Sequence, residues 1–166
     1  MKERKVKCAE VVSDYRQPRR GDNRNCCIPG EWGYESIVPD DLRDGASWVK
    51  SMNSPSWTRE NIGEIDIEPG EPYPDPEGFG RWLLSRIGEP DEGKEIILFG
   101  LTADRCVLCM VQELRFRGYD PIVLYEATDV RSGSISEKDA FLSHTPFTFW
   151  GRVIRFEEVK EMMKSS

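Results

Sequence analysis

The sharpest pattern of apolar and polar positions in the chain lies over residues 95–129. Ile96, Ile97, Leu98 and Phe99 form an unbroken apolar run that ends at Gly100. A run of that length predicts a strand covered on both faces, as in a parallel sheet. A short polar turn, 102–105, follows. Val107, Met110, Val111 and Leu114 then recur at i, i+3, i+4 and i+7, the stripe of an amphipathic helix. Gly118 supplies a helix stop, and 121–125 reads as the next strand. The pattern predicts a β-α-β unit with parallel strands and a right-handed crossover.

The remaining elements are shorter. Residues 8–13 predict a strand, which runs into a polar loop over 14–25 rich in Arg, Asp and Asn. Residues 48–50 read as another strand end. The stretch 61–75, dense in Pro, Gly and acidic residues, predicts a surface loop. Pro76 opens a helix at its first position, with Phe79, Trp82, Leu83 and Ile87 as the apolar face before Gly88. A turn over 89–94 leads into the central strand. Further on, Ser136 followed by Glu137, Lys138 and Asp139 has the pattern of a capped helix start, and Pro146 limits that helix. Residues 152–155 predict a last strand. Residues 156–164 predict a terminal helix with Val159, Met162 and Met163 on one side. Trp48, Trp57, Phe79 and Trp82 are core candidates, and no internal repeat is visible.

Composition narrows the class. A chain of 166 residues predicts one domain, 1–166, with a real core. The net charge of −7 argues against nucleic acid or an anionic membrane as main partner. No apolar run reaches membrane-spanning length, and the basic start (Lys2, Arg4, Lys5, Lys7) lacks the apolar stretch of a signal peptide. Five cysteines, an odd number at low density, fit a reducing compartment, so a cytoplasmic protein is expected.

Cys106 carries the candidate chemistry. It stands where the turn becomes the helix, where unpaired backbone N–H groups and the helix dipole favour negative charge and can hold a developing oxyanion. The plainer reading is a small buried hydrophobe. Cys106-x-x-Cys109 also matches the redox pair of thiol oxidoreductases, although the intervening Val-Leu is apolar and the upstream segment is unlike theirs. A zinc site joining these two to Cys26 and Cys27 has poor ligand spacing, with the lone His144 far off.

GLTADRCV, a helix, and then GYDPIVLYEATD resemble the signature of the isochorismatase-like cysteine hydrolases, which include nicotinamidases, N-carbamoylsarcosine amidases and ureidoacrylate hydrolases. CCIPGEWGYESIVPDDL followed by Trp48-Val49-Lys50 is similar to that family's Pro-Gly-x-x-Gly loop and lysine-bearing strand. The tail GRVIRFEEVKEMM is similar to its end. The resemblance implies an α/β fold: a three-layer α/β/α domain on a mostly parallel, Rossmann-like sheet. It implies Cys106 as nucleophile, Lys50 as catalytic lysine, and the backbone N–H groups of Thr102 and Cys106 as oxyanion hole. The peptide bond before Thr102 is expected to be cis.

The match starts at the family's second strand, which ends at Asp14. No stretch corresponds to the family's first strand, whose aspartate takes the thiol proton, so the domain is expected to be N-terminally shortened. Asp14 is then a candidate substitute base, or else an ordinary loop carboxylate. Arg16, Arg19 and Arg20 could fork onto a substrate carboxylate or lie in solvent. Trp57, after the lysine turn, is placed to wall the pocket. Metal-binding nicotinamidases carry Asp-x-His-x-x-His here. This chain reads Asp14-Tyr15-Arg16-Gln17-Pro18-Arg19, so neither metal nor cofactor is expected. The implied protein is a homo-oligomer that hydrolyses a small amide or ureide. The alternatives are a non-catalytic or binding relative lacking the base, and the thiol oxidoreductase.

Overall fold

The computed structural model describes residues 8–19, 24–91, 94–144 and 146–165, in two compact units, Met1–Glu89 and Pro90–Ser166. Arg20, the basic start and the middle of the 89–94 turn lie outside the described residues.

The first unit is built on two short parallel strands, β1 (Val11–Ser13) and β2 (Trp48–Lys50), in register from Val11 opposite Trp48 to Ser13 opposite Lys50. The ladder continues one step, with the Asp14 N–H donating to the Lys50 carbonyl at 2.9 Å. Beyond β2 the chain turns into β3 (Trp57–Thr58), which pairs antiparallel with β4 (Tyr73–Pro74). The 61–75 stretch is therefore a loop closed at its end by a ladder that its Pro and Gly content hides. Helix α1 (Pro76–Ile87) starts as its sequence predicts, with Pro76 in the first turn and the Asp75 carboxylate accepting from the Gly78 N–H at 2.8 Å. Phe79 is fully buried from this helix, with ring centroids 5.6 Å from Trp48 and 5.8 Å from Trp82.

The second unit carries a parallel sheet of β5 (Glu95–Leu101), β6 (Asp120–Asp129) and β7 (Arg152–Ile154), in the order β5-β6-β7. The expected parallel pairing across the helix is present. Helix α2 (Leu108–Phe116) buries Val111 and Leu114, and Gly118 follows at φ 86°, a left-handed turn that glycine adopts without steric cost. Helix α3 is Ile135–Ser143, capped by Ser134 and not Ser136, because the Ser134 hydroxyl is the one that accepts from the Glu137 N–H. Short α4 (Phe147–Trp150) and terminal α5 (Phe156–Ser165) complete it. Val111, Val123, Val130, Leu142 and Phe147 form one buried cluster, joining α2, α3 and α4 to the sheet.

A further expectation fails. Strand β5 is not covered on both faces: Ile96, Ile97 and Leu98 are half-buried, while Phe99 is 48% and Leu101 70% exposed. Among the described residues β5 pairs only with β6, so it is an edge of its sheet and its apolar run lacks a second neighbour. The register also shifts between Leu98 and Gly100, where Gly100 takes φ 137° to form the bulge. Among the described residues no helix is long and apolar enough to cross a membrane.

Since Phe79 fills the space between two tryptophans, truncation should leave a cavity. We expect Phe79→Ala to cost roughly 3–5 kcal/mol, the usual range for a buried Phe, measured by urea unfolding followed with far-ultraviolet circular dichroism. A loss below about 1 kcal/mol would show that α1 does not anchor this unit.

Candidate active site

In the second unit, Cys106 lies in one turn of π-helix, Ala103–Val107, between the carboxyl end of β5 and α2. The turn is wide because the Thr102 carbonyl accepts from the N–H groups of both Arg105 and Val107, each at 3.1 Å, on either side of Cys106. Ala103 and Val107, four residues apart, are buried in the core cluster and fix which face points inward. Asp104 braces the other side, its carboxylate accepting from the Arg131 N–H at 3.2 Å. The turn thus sets Thr102 and Cys106 four residues apart at its two ends, with Cys106 half-buried. The Leu101–Thr102 peptide is cis, at the step where the resemblance expects it. Cys109, a turn further on, is also half-buried and not part of the core. All five cysteines are thiols and not disulfides.

Two hydroxyls here were not singled out by the sequence reading. Thr102 Oγ1 and Thr128 Oγ1 are buried with no hydrogen-bond partner among the described residues. They sit near the carboxyl ends of adjacent strands, since Gly100 pairs with Thr128 and Leu101 with Asp129. Buried hydroxyls normally find a partner. The alternation of β6 was the available signal for Thr128, but it does not separate an ordinary inward threonine from one without a partner.

In the first unit, Asp14, Arg16, Lys50 and Trp57 lie on β1, β2, β3 or the loop that leaves β1. Lys50 is only 4% exposed. Its ammonium donates to the Tyr15 hydroxyl and, at 2.9 Å, to the Met52 carbonyl, and it stands 4.5 Å from the centre of the Tyr15 ring. Trp57 is half-buried, its carbonyl accepting from the Ser51 N–H at 2.9 Å.

Asp14 points elsewhere. Its side chain is 0% exposed and ion-paired with Arg16 at 2.6 Å and Arg59 at 3.4 Å. It also accepts from the backbone N–H groups of Arg16, at 3.2 Å, and Gly63, at 3.0 Å. Burial alone would raise its pKa. The hydrogen bonds from Arg16 and Gly63 and the Arg16 charge outweigh that and hold it below the usual 3.8. Arg16 is committed in return, donating to this carboxylate and to the Ile67 carbonyl at 3.0 Å. Arg59, absent from the sequence-level candidates, is buried and donates to the carbonyls of Asp14 (2.7 Å), Arg16 (2.9 Å) and Pro18 (2.9 Å). Desolvation lowers its pKa against the pull of Asp14, but a guanidinium remains charged. Sequence offers little warning here, since an arginine just past a two-residue strand reads as surface.

Among the described residues no group of three or more His, Cys, Asp or Glu side chains could hold a metal ion. No protein-family model, curated protein or solved structure matches the chain.

The Asp14 geometry carries a pH signature. A carboxylate with a lowered folded pKa adds stability above its unfolded value of about 3.9 and loses it as pH falls through the folded value. Unfolding free energy should therefore drop on acidification below about pH 4, and Asp14→Asn should flatten that limb. An acid limb of the same slope in Asp14→Asn would place the titrating group elsewhere.

Proposed function

We propose that the chain is a cysteine hydrolase of the isochorismatase-like type, with that family's three-layer fold, cleaving a C–N bond of a small amide or ureide. The observation that carries the reading is the placement of Cys106 in a wide turn between a strand end and a helix, four residues after Thr102. There the thiolate attacks the carbonyl carbon. The N–H groups of Thr102 and Cys106 are the expected donors to the tetrahedral oxyanion. The C–N bond breaks, the amine leaves with a proton, and water cleaves the thioester to release the acid and restore the thiol. The hydroxyls of Thr102 and Thr128, without a partner among the described residues, add hydrogen-bonding capacity at the same strand ends. Lys50 enters by resemblance, as the lysine that keeps the thiolate ionised. The same reading makes the protein a cytoplasmic homo-oligomer.

One observation favours a second reading, a relative that binds but does not turn over. The Asp14 carboxylate is committed to two guanidinium groups and is a poor proton acceptor. Acid–base assistance is typically worth about 10²–10⁴ in rate, so its loss leaves binding without brisk chemistry.

The two readings separate on a panel of small amides and ureides, with Cys106→Ala as control. Hydrolysis should be lost in Cys106→Ala and largely kept in Cys109→Ser. Lys50→Met should slow both hydrolysis and iodoacetamide labelling of Cys106. Saturable binding without turnover would support the binding-only relative. Equal losses in Cys106→Ser and Cys109→Ser, with turnover of an insulin disulfide, would support the oxidoreductase.

A further inference from the structure

We propose that Tyr15 is the positioning residue for Lys50, an inference that rests on Lys50 serving the hydrolase proposed above. Lysine is a flexible four-carbon stem ending in a point charge, so burying its ammonium in one place needs contacts that fix direction as well as balance charge. Tyr15 supplies two. Its hydroxyl accepts a hydrogen bond from Lys50 Nζ, and its ring lies with the ammonium 4.5 Å from the centroid, within cation–π range. The hydroxyl proton is directed towards the Met52 carbonyl at 3.2 Å, with Asn53 Oδ1 at 3.4 Å. Because Met52 O also accepts from Lys50 at 2.9 Å, ammonium, phenol and carbonyl close a three-membered ring of polar contacts. Two of the three ammonium protons are thereby given fixed directions.

The ring of contacts has little freedom to drift. Tyr15 is 8% exposed. Its backbone makes a two-bond antiparallel bridge with Cys26, Tyr15 N–H to Cys26 carbonyl at 3.1 Å and Cys26 N–H to Tyr15 carbonyl at 3.4 Å. The neighbouring Asp14 N–H is bound to the Lys50 carbonyl, so tyrosine and lysine are referenced to the same ladder step. Arg19 stacks on the same ring, its guanidinium carbon 4.2 Å from the centroid.

The test uses the full chain and two readouts. In the first, Lys50 is labelled by reductive methylation and followed by peptide mass spectrometry. In the second, kcat and KM for the best amide of the panel are measured across pH. Tyr15→Phe keeps the ring and removes the hydroxyl; Tyr15→Leu removes both and checks the ring contribution. A hydrogen bond to a charged group is worth about tenfold or more. Tyr15→Phe should therefore raise the labelling rate at Lys50 several-fold and lower kcat roughly tenfold. KM should stay nearly constant and the alkaline limb of the pH profile should move. Tyr15→Leu should exceed Tyr15→Phe in both. Unchanged labelling in Tyr15→Phe overturns the proposal. So does raised labelling with kcat and pH profile intact, which would make the contact purely structural. An inactive wild type sinks the hydrolase reading and this role with it, a result distinct from an active wild type indifferent to Tyr15. In that case the labelling still shows whether tyrosine and lysine are in contact.

Discussion

The first unit depends on burying one carboxylate between two guanidinium groups. Taking Asp14 out of water is costly, and such a pair holds only where its remaining hydrogen-bonding capacity is filled. Here it is filled from four directions: two arginine side chains and the backbone N–H groups of Arg16 and Gly63. Arg59 does more than neutralise. By donating to the carbonyls of Asp14, Arg16 and Pro18, it dictates the path of a loop that has almost no regular structure of its own. The Gln17–Pro18 peptide within this loop is cis.

That clamp decides what the rest of the strand end can do. Consecutive residues leaving β1 take separate assignments: Asp14 goes to the arginines, and Tyr15 goes to Lys50. A carboxylate one position away in sequence from the lysine's partner is thus withheld from acid–base work. The buried ion pair and the lysine contact thus fall to different side chains. In the second unit the division is similar. Ala103 and Val107 serve the core, and Thr102 and Cys106, on the same turn, do not belong to it.

Much of the scaffold was legible in the sequence. The helix over Pro76–Ile87, the strand Trp48–Lys50 and the parallel pairing of β5 with β6 follow from periodicity, a proline at a helix start and glycine stops. What escaped was long-range. The β3–β4 ladder joins two-residue strands too short to show alternation, and the cap at Ser134 differs from Ser136 only in which hydroxyl meets an N–H. The exposure of Phe99 and Leu101 depends on how many strands flank β5, which the run of apolar residues does not encode. For the site, the position of Cys106 between strand and helix was readable, as was Lys50 at a strand end. Arg59 and Tyr15 were not, because their roles arise from contacts across 35 to 45 residues of chain.

The aromatic packing around Phe79 has an optical consequence. Four of the five tryptophans, Trp32, Trp48, Trp57 and Trp82, belong to Met1–Glu89, and Trp150 alone to Pro90–Ser166. Trp32 is already 89% exposed and emits as a solvated indole in either state. Within the first unit, the change in intrinsic fluorescence on denaturation therefore arises from half-buried Trp48, Trp57 and Trp82, with Trp48 and Trp82 parting from Phe79. The emission of this protein is thus weighted towards its first unit, while half-buried Trp150, packed on Phe116 and Phe149, reports on the unit that carries Cys106.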